Sequence, residues 1–231
     1  MFVAEIGLNY EGSLDIAGEM MRQAKAAGAD AVKFQFGWRS KENEINFLNP
    51  ERIAKLQEYA RQWNITFFAS IISDEGWEWA QMANLPLYKI AARTVVERPD
   101  LCEKVLKSGK ITYVSLGRWN EKTLPFPRKT YPNIKYVYCR SSYPSQPQDL
   151  VTFPANFIEA ELEGYSDHCL GIEMCLAAIA RGARYIEKHF TLNKSSISIR
   201  DHVLSATPDE FKKMTEIGRP MMQWIQAIKQ T

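Results

Sequence analysis

Eight short stretches rich in β-branched and aromatic residues recur along this chain, and this repetition limits its fold more than any other feature. They start roughly 26 residues apart, a length that accommodates one strand, one helix and their loops. Stretches with helical features separate most of them, which indicates parallel strands joined by crossover connections. The β-rich stretches are residues 2–6, 31–36, 66–70, 87–91, 111–116, 135–140, 161–166 and 185–190.

Several of the intervening stretches carry helix signals. Ser13 stands at a capping position before the first of them, and Gly28 follows its end, as is common at helix termini. Pro50 opens the second, where its fixed φ suits a first helical turn. The predicted helices span residues 13–27, 50–63, 73–83, 171–181 and 207–229.

The alternation of strands and helices predicts one domain over residues 1–231, of the α/β class, with a (β/α)8 TIM-barrel fold. Of the 231 residues 45% are apolar and 24% are charged, which is enough apolar material for one large core. Prolines exclude a regular helix at 123–133 and 142–157. An open doubly wound sheet is the alternative on pattern alone. A barrel has the further consequence that its chemistry lies at the carboxyl ends of many strands.

Charge and cysteine content exclude several functional classes. With 29 basic and 27 acidic residues the formal net charge is +2, so neither nucleic acid nor a membrane surface is expected as a partner. No apolar run approaches the ~20 residues that span a bilayer, and the first residues lack the features of a secretory signal. The four cysteines show no C-x-x-C spacing, which predicts reduced thiols and a cytoplasmic protein.

Polar residues collect at or just after the end of every predicted strand. A buried parallel strand is otherwise almost continuously apolar, so a set of this kind predicts a shared site. Any single member has the alternative role of a helix cap or a hydrogen-bonded core residue. The set comprises Glu5, Asn9, Lys33, Gln35, Ser70, Lys89, Ser115, Arg140, Ser141, Tyr143, Ser166, Asp167, His168, Glu187, Lys188 and His189.

Two of the three histidines follow neighbouring strands of the predicted barrel. Adjacent strands lie about 4.8 Å apart, so the side chains of His168 and His189 can reach one ion. Two imidazoles with positions open for water and substrate are typical of a Lewis-acid metal site. Imidazole suits Mn, Fe, Co, Ni or Zn, so we expect a divalent metal here. The other interpretation is a pair of hydrogen-bonded core histidines.

Four lysines fall at or beside predicted strands, where long charged side chains are seldom buried without a partner. Convergence of several in one cavity predicts a polyanionic small ligand. The alternative is exposure on the surface, which suits Lys110 and Lys188 better than Lys33 and Lys89.

Motifs in the same order along nearly the whole chain resemble those of the sialic acid synthase family. AEIGLNYEG at 4–12 is similar to the family's opening AEIGxNHxG. GYSDHCLGIE at 164–173 and GARYIEKHF at 182–190 match its SDHxxG and EKHF motifs. Further similarities are GADAVKFQ at 28–35, YKIA at 88–91, GKITYVSLG at 109–117, CRSSYP at 139–144 and DHVLS at 201–205.

The resemblance implies a barrel enzyme that joins phosphoenolpyruvate to an N-acetylated amino-sugar aldehyde of the N-acetylmannosamine type. The product is a nine-carbon 2-keto acid, and phosphate is released. The resemblance also implies a homodimer, and a divalent metal on His168 and His189 that polarises the aldehyde, Mn²⁺ in the first place, with Mg²⁺, Co²⁺ or Zn²⁺ as alternatives.

The resemblance further implies roles for individual residues. Glu5 would transfer a proton or position a water molecule beside the metal, and four other residues would contact the sugar. The implied catalytic residues are Glu5, Lys33, Gln35, Tyr143, Glu187 and Asp201. The implied phosphoenolpyruvate-binding residues are Lys33, Lys89, Lys110, Ser115, Ser141, Ser166 and Arg140.

The chain departs from the family pattern around the expected anion pocket. The serine of KIxS is Ala92, followed by Arg93, and the threonine of STG is Leu116. The threonine of the CTS motif is Arg140. Small hydroxyl donors are lost and two guanidinium groups are gained, and arginine is a good bidentate partner for phosphate or carboxylate. The anion is therefore held differently, or it is a different anion.

The C-terminal antifreeze-like domain that closes the sugar pocket in this family has no counterpart within residues 1–231. A separate chain that supplies this lid is therefore a candidate partner. Two alternatives to a synthase stay open. One is a keto-acid sugar lyase or a related carbon–carbon bond enzyme on the same barrel, and the other is a non-catalytic partner subunit of a full-length synthase.

Overall fold

Eight parallel strands close into a barrel in the computed structural model, which describes residues 1–39 and 41–228. Each strand pairs with the next along the chain, and β8 pairs back with β1. This confirms the predicted (β/α)8 barrel and excludes the open sheet. The strands are β1 (Phe2–Glu5), β2 (Ala31–Phe36), β3 (Thr66–Ile71), β4 (Tyr88–Ile90), β5 (Thr112–Ser115), β6 (Ile134–Cys139), β7 (Gly164–Asp167) and β8 (Tyr185–His189).

The helices form an outer layer and begin where the sequence signals place them. The Ser13 hydroxyl accepts a hydrogen bond from the backbone N–H of Ile16, and Pro50 lies in the first turn of the second helix. The helices are α1 (Leu14–Ala26), α2 (Pro50–Gln62), α3 (Asp74–Met82), α4 (Ala92–Glu97), α5 (Pro99–Leu106), α6 (Glu173–Ala180) and α7 (Pro208–Ile228). The two helices between β4 and β5 were not predicted. They are separate because Pro99 has no N–H with which to continue α4.

The proline-rich connections contain no α-helix in the described residues 116–133 and 140–163, as predicted. A 3₁₀ turn, Pro147–Asp149, is the only helical turn there. The predicted start of β7 at residue 161 was wrong by three residues. Glu161 has a φ of 55°, in the left-handed region, so the extended conformation of β7 can begin only after this residue.

The interior of the barrel has an apolar floor at the amino-terminal ends of the strands. Side chains alternate between the two faces of a strand, so the next inward-facing position lies two residues further on. That position is polar in most strands, as Glu5 after Val3 and Glu187 after Tyr185 illustrate. The floor comprises Val3, Ala31, Phe68, Val137 and Tyr185, all fully buried. The barrel thus carries its polar side chains as a layer above a sealed base.

The outward faces of the strands pack against the helices through a larger apolar cluster. Phe34 and Phe36 of β2 are fully buried in it, and the ring of Phe36 meets Trp79 of α3 at 6.4 Å between centroids. No helix within the described residues combines the length and apolar character needed to cross a bilayer.

Candidate active site

A cavity of about 500 Å³ opens at the carboxyl ends of the barrel strands. Every strand contributes to its wall, because the polar layer above the floor faces inward. These inward-facing residues are Glu5, Lys33, Ser70, Lys89, Ser115, Cys139, Ser166 and Glu187. Further predicted residues in the wall are Gln35, Ser141, Tyr143, His168, His189 and Asp201. Most of the predicted site residues are therefore brought together, whereas Asn9, Lys110, Arg140, Asp167 and Lys188 do not line the cavity.

The Lys33 ammonium group lies between two carboxylates at the base of this cavity. Its Nζ is 2.6 Å from Glu5 Oε2 and 3.8 Å from Glu187 Oε1, and it donates a hydrogen bond to the Ser70 hydroxyl at 2.9 Å. Burial by itself lowers the pKa of Lys33, but the charges of Glu187 and Glu5 outweigh burial and raise it above its usual value. Lys33 is therefore a fixed positive charge at neutral pH.

Glu187 is held in its ionised form by the groups around it. The Lys89 ammonium lies 3.1 and 3.3 Å from its two oxygens, Ser166 donates to Oε1 at 2.7 Å, and the Tyr185 hydroxyl donates to Oε2. Burial opposes ionisation, but Lys33, Lys89 and these hydroxyl groups together bring the pKa of Glu187 well below its usual range.

The pKa of Glu5 is shifted in the opposite direction to that of Glu187. Burial raises the pKa of Glu5 above its usual value, although Lys33 opposes the shift and Gln35 donates a hydrogen bond to Oε1 at 2.9 Å. The negative charge of Glu187 adds to the increase. Two carboxylates with pKa values shifted apart are a common arrangement for a proton-transfer group beside a permanent charge.

His168 and His189 lie next to each other in the cavity wall, with ring centroids 5.4 Å apart. His168 Nδ1 is 2.6 Å from the backbone oxygen of Arg140. His189 Nδ1 is buried and has no hydrogen-bond partner among the described residues; it lies 3.8 Å from Asp201 Oδ2. Burial lowers the pKa of His168 to about 4 and also lowers that of His189. Both rings are therefore neutral near pH 7, the form in which imidazole binds metals.

This pair fits an open metal site better than a closed one. An imidazole nitrogen without a partner argues against two satisfied core histidines, since buried polar atoms are normally hydrogen-bonded. Within residues 1–39 and 41–228, no group of three or more His, Cys, Asp or Glu side chains forms a ligand set. Two protein ligands leave the remaining positions of an ion to water and substrate.

Tyr143 and Asp201 surround the two histidines. The ring of Tyr143 lies 4.2 Å from that of His168, and the guanidinium carbon of Arg200 lies 4.6 Å above the same tyrosine ring. Arg200 Nε is 3.3 Å from Asp201 Oδ1. This wall offers an aromatic face, a carboxylate and a guanidinium group to a polar ligand.

Lys110 and Arg140 are not in the cavity wall, and their predicted contact with phosphoenolpyruvate is corrected. Lys110 precedes β5 at the amino-terminal end of the barrel, where its ammonium donates to Asn84 Oδ1 and the Leu85 carbonyl, both at 2.8 Å. The Arg140 side chain is exposed outside the cavity, and this residue supports His168 through its backbone oxygen instead.

Asp167 and Lys188 follow the inward-facing Ser166 and Glu187, so the alternation of the strands directs them away from the cavity. They form a fully buried ion pair at 2.8 Å, and the Tyr165 hydroxyl donates to Asp167 Oδ1 at 2.7 Å. This pair joins the barrel wall to the surrounding layer and belongs to the structure of the barrel, not to the site.

Arginines at the mouth of the cavity were largely missed by sequence reasoning. Arg93 was noted only as a departure from the family pattern, and Arg39 and Arg118 were not identified. They lie beyond the ends of the strands, where no periodicity indicates the direction of a side chain. The available signal was their position, since each lies three residues after the end of a strand.

Comparisons with known proteins agree with this geometry. The sequence profile of the NeuB family matches residues 41–229. An uncharacterized protein of Methanocaldococcus jannaschii is 36% identical over 230 residues, which cover 92% of this chain and 68% of that protein. The N-acetylneuraminate-9-phosphate synthase of Homo sapiens is 30% identical over 249 residues, covering 94% and 68%.

A solved structure is similar over almost the entire chain. It is an N-acetylneuraminic acid synthetase from Leptospira borgpetersenii serovar Hardjo-bovis in complex with citrate, with a TM-score of 0.85 and 29% identity. The match covers 97% of this chain and 84% of that one.

Proposed function

The chain belongs to the NeuB family, and from this premise we propose that it is a sialic acid synthase-like transferase of carbohydrate biosynthesis. It would condense phosphoenolpyruvate with an N-acetylated amino-sugar aldehyde of the N-acetylmannosamine type, in a metal-dependent reaction. The product would be a nine-carbon 2-keto acid. The observation that carries the proposal is the cavity to which all eight strands contribute and which holds Lys33, Lys89, Glu5 and the two histidines.

The base of the cavity suits phosphoenolpyruvate, which carries about three negative charges near neutral pH. Lys33 and Lys89 supply charge there, and the hydroxyl groups of Ser115 and Ser141 are available as donors to phosphate or carboxylate oxygens. Because the lysines are held by Glu5 and Glu187, they are oriented before the anion arrives. Such preorganisation lowers the entropy cost of binding.

The sugar aldehyde would occupy the wall formed by His168, His189, Tyr143 and Asp201. A divalent metal bound by the two histidines would act as a Lewis acid toward the aldehyde carbonyl. Asp201 would accept hydrogen bonds from sugar hydroxyl groups, and the Tyr143 ring would offer an apolar face to the sugar carbons.

The reaction needs one proton to be delivered and two to be removed. A carbon–carbon bond forms between C3 of the enol and the aldehyde carbon, and the aldehyde oxygen gains a proton. Water adds to C2 and loses one proton, and the bond from C2 to the phosphate oxygen then breaks as the new hydroxyl group loses its proton to become the ketone. One of the two protons from water balances the proton on the aldehyde oxygen, and the other leaves with the phosphate. Glu5, with its raised pKa, is suited to exchange these protons, while Lys33 and Gln35 hold its carboxyl group in position.

A lyase that acts through a Schiff base is less compatible with these residues. Such an enzyme needs a neutral amine as nucleophile. In the described part of the chain, the two lysines that line the cavity are both paired with carboxylates, and the pKa of Lys33 is raised. A non-catalytic subunit would also have no use for these buried charges, which cost folding free energy.

A phosphate-release assay tests the proposal. Purified protein, Mn²⁺ and phosphoenolpyruvate are combined with a panel of N-acetylated hexosamines, and the products are identified by mass spectrometry. We expect release that depends on one sugar, that stops with a chelator, and that yields a nine-carbon keto acid. Phosphoenolpyruvate binding without release for any sugar would instead indicate a partner subunit, and cleavage of a keto sugar acid would indicate a lyase.

A further inference from the structure

Two arginines at the mouth of the cavity have no role in the reaction described above. Arg93 lies in α4 just after β4, and Arg118 lies in the loop just after β5; both line the cavity. Their side chains are 52% and 51% exposed, so they are accessible to a ligand. They are adjacent because their strands pair in the barrel.

Both arginines are paired with one carboxylate, Glu97. Arg93 Nε is 2.6 Å from Glu97 Oε2, and Arg118 Nη1 is 3.6 Å from Glu97 Oε1. Two guanidinium groups against one carboxylate leave one positive charge in excess. The terminal nitrogens of Arg93 make no hydrogen bond to any residue that the structure describes, while its guanidinium lies over the Trp38 ring at 5.4 Å. Stacking of this kind fixes the plane of the group.

The base of the cavity has a different ratio of positive groups to carboxylates from the mouth. There, Lys33 and Lys89 face Glu5 and Glu187, one carboxylate for each ammonium group. Each ammonium group at the base is thus matched by its own carboxylate, whereas the two guanidinium groups at the mouth share one. Ala92, immediately before Arg93, also lines the cavity and presents only a methyl group there.

We propose that Arg93 and Arg118 form an anion seat that binds a phosphate monoester dianion. The seat has the features that suit this ligand: planar, permanently charged donors, terminal N–H groups of Arg93 without a partner among the described residues, and an exposed approach. The seat opens into the site of the proposed condensation, so the identity of its ligand rests on that proposed function. The phosphate has two chemical sources, the phosphate of phosphoenolpyruvate itself or a phosphate carried by the sugar.

Titration calorimetry in the presence of a chelator tests the seat without turnover. The probes are phosphoenolpyruvate, N-acetylmannosamine 6-phosphate and unphosphorylated N-acetylmannosamine, with the full chain and the variants Arg93→Met, Arg118→Met and the double variant. We expect the double variant to bind at least one phosphate monoester about tenfold more weakly, as for a lost charge-assisted contact. Which probe loses affinity identifies the source of the phosphate.

Two further variants separate the seat from a general effect of charge. Arg22→Met removes an arginine that is likewise paired with a glutamate, Glu19, but lies on α1 outside the cavity, and it is expected to change no affinity. Glu97→Gln removes the competing carboxylate, so it should strengthen binding of the same phosphate monoester. A purely structural role of the arginines would not produce this opposite sign.

The proposal is overturned if the wild-type chain binds neither phosphate monoester, or if the double variant binds both with unchanged affinity. If the condensation assay shows phosphate release but the double variant binds both phosphate monoesters with unchanged affinity, the anion seat is refuted and the synthase proposal stands. Loss of affinity in the double variant, in a protein that releases no phosphate with any sugar, would support the seat and count against the synthase.

Discussion

Glu5 and His189 are register partners across the parallel pair of β1 and β8. Adjacent strands lie about 4.8 Å apart, so the carboxyl group with the raised pKa stands beside the imidazole whose Nδ1 has no hydrogen-bond partner in the described part of the chain. This places the proposed proton-transfer group next to the proposed metal ligand. The pairing follows from the closure of the barrel, since these strands come from opposite ends of the chain.

Replacing Lys33 should weaken anion binding. Lys33→Met removes the ammonium group between Glu5 and Glu187, and the lost charge-assisted contact is worth about 1.5–3 kcal/mol. Phosphoenolpyruvate should then bind at least tenfold more weakly by calorimetry. Lys110→Met is the matched control, because Lys110 lies at the other end of the barrel. Equal affinities for the two variants would remove Lys33 from the anion site.

Replacing His189 should abolish metal binding and leave the fold intact. His189→Ala removes one of two proposed ligands, and one imidazole does not hold a divalent ion firmly. Metal content by plasma emission spectrometry should fall to background while the circular dichroism spectrum is retained. His202→Asn is the control, since His202 is bonded to Thr191 and Glu11 outside the cavity. Metal retained in His189→Ala would show that the site is assigned to the wrong residues.

The buried pair of Asp167 and Lys188 should matter for stability and not for ligand binding. Lys188→Met leaves a carboxylate buried without its partner, which costs about 3–5 kcal/mol. Changing both residues, with Asp167→Asn added, should recover much of this loss. Urea denaturation measures the free energies of unfolding. Equal stability of the single variant and the wild type would contradict a structural role for the pair.

The same pair should make stability sensitive to acid. Burial acts to raise the pKa of Asp167, but Lys188 outweighs it and the pKa is lowered overall. A lowered pKa gives stability that is complete above the unfolded-state value of about 3.9 and is lost as pH falls through the folded-state value. The free energy of unfolding of the wild type should therefore decrease below about pH 4. The double variant should show a smaller decrease over that range.

Gly164 should tolerate no side chain. A Cβ at this position would overlap the backbone carbonyl of Tyr185 on the neighbouring strand, and neither backbone can move without breaking the barrel pairing. Gly164→Ala should lower the melting temperature strongly or prevent folding. Gly109→Ala is the comparison: its φ of 74° carries strain of about 1 kcal/mol, but no atom lies within 4 Å of the added carbon. Similar melting temperatures would refute the packing argument.

The sequence predicted the barrel and most of its site for one physical reason. Strand residues alternate between faces, so a polar residue such as Lys33 or Glu187 at the end of an apolar strand must enter either the cavity or the helix layer. That reasoning placed Lys89 and Ser166 correctly. It could not place Arg118, which lies in a loop whose path the alternation of strand residues does not determine. Lys110 directly precedes the predicted strand 111–116, and its assignment to the anion pocket came from the family resemblance and not from this alternation.

The apolar floor of Val3, Ala31, Phe68, Val137 and Tyr185 closes the cavity at one end. Molecules that react at the base must therefore enter and leave the cavity past Arg93, Arg118 and the two histidines, as far as the described residues show its lining. A ligand resting at the mouth would trap whatever lies beneath it. Because the base is sealed, the barrel itself determines the order in which substrates bind and products leave. The kinetics should therefore follow an ordered and not a random mechanism.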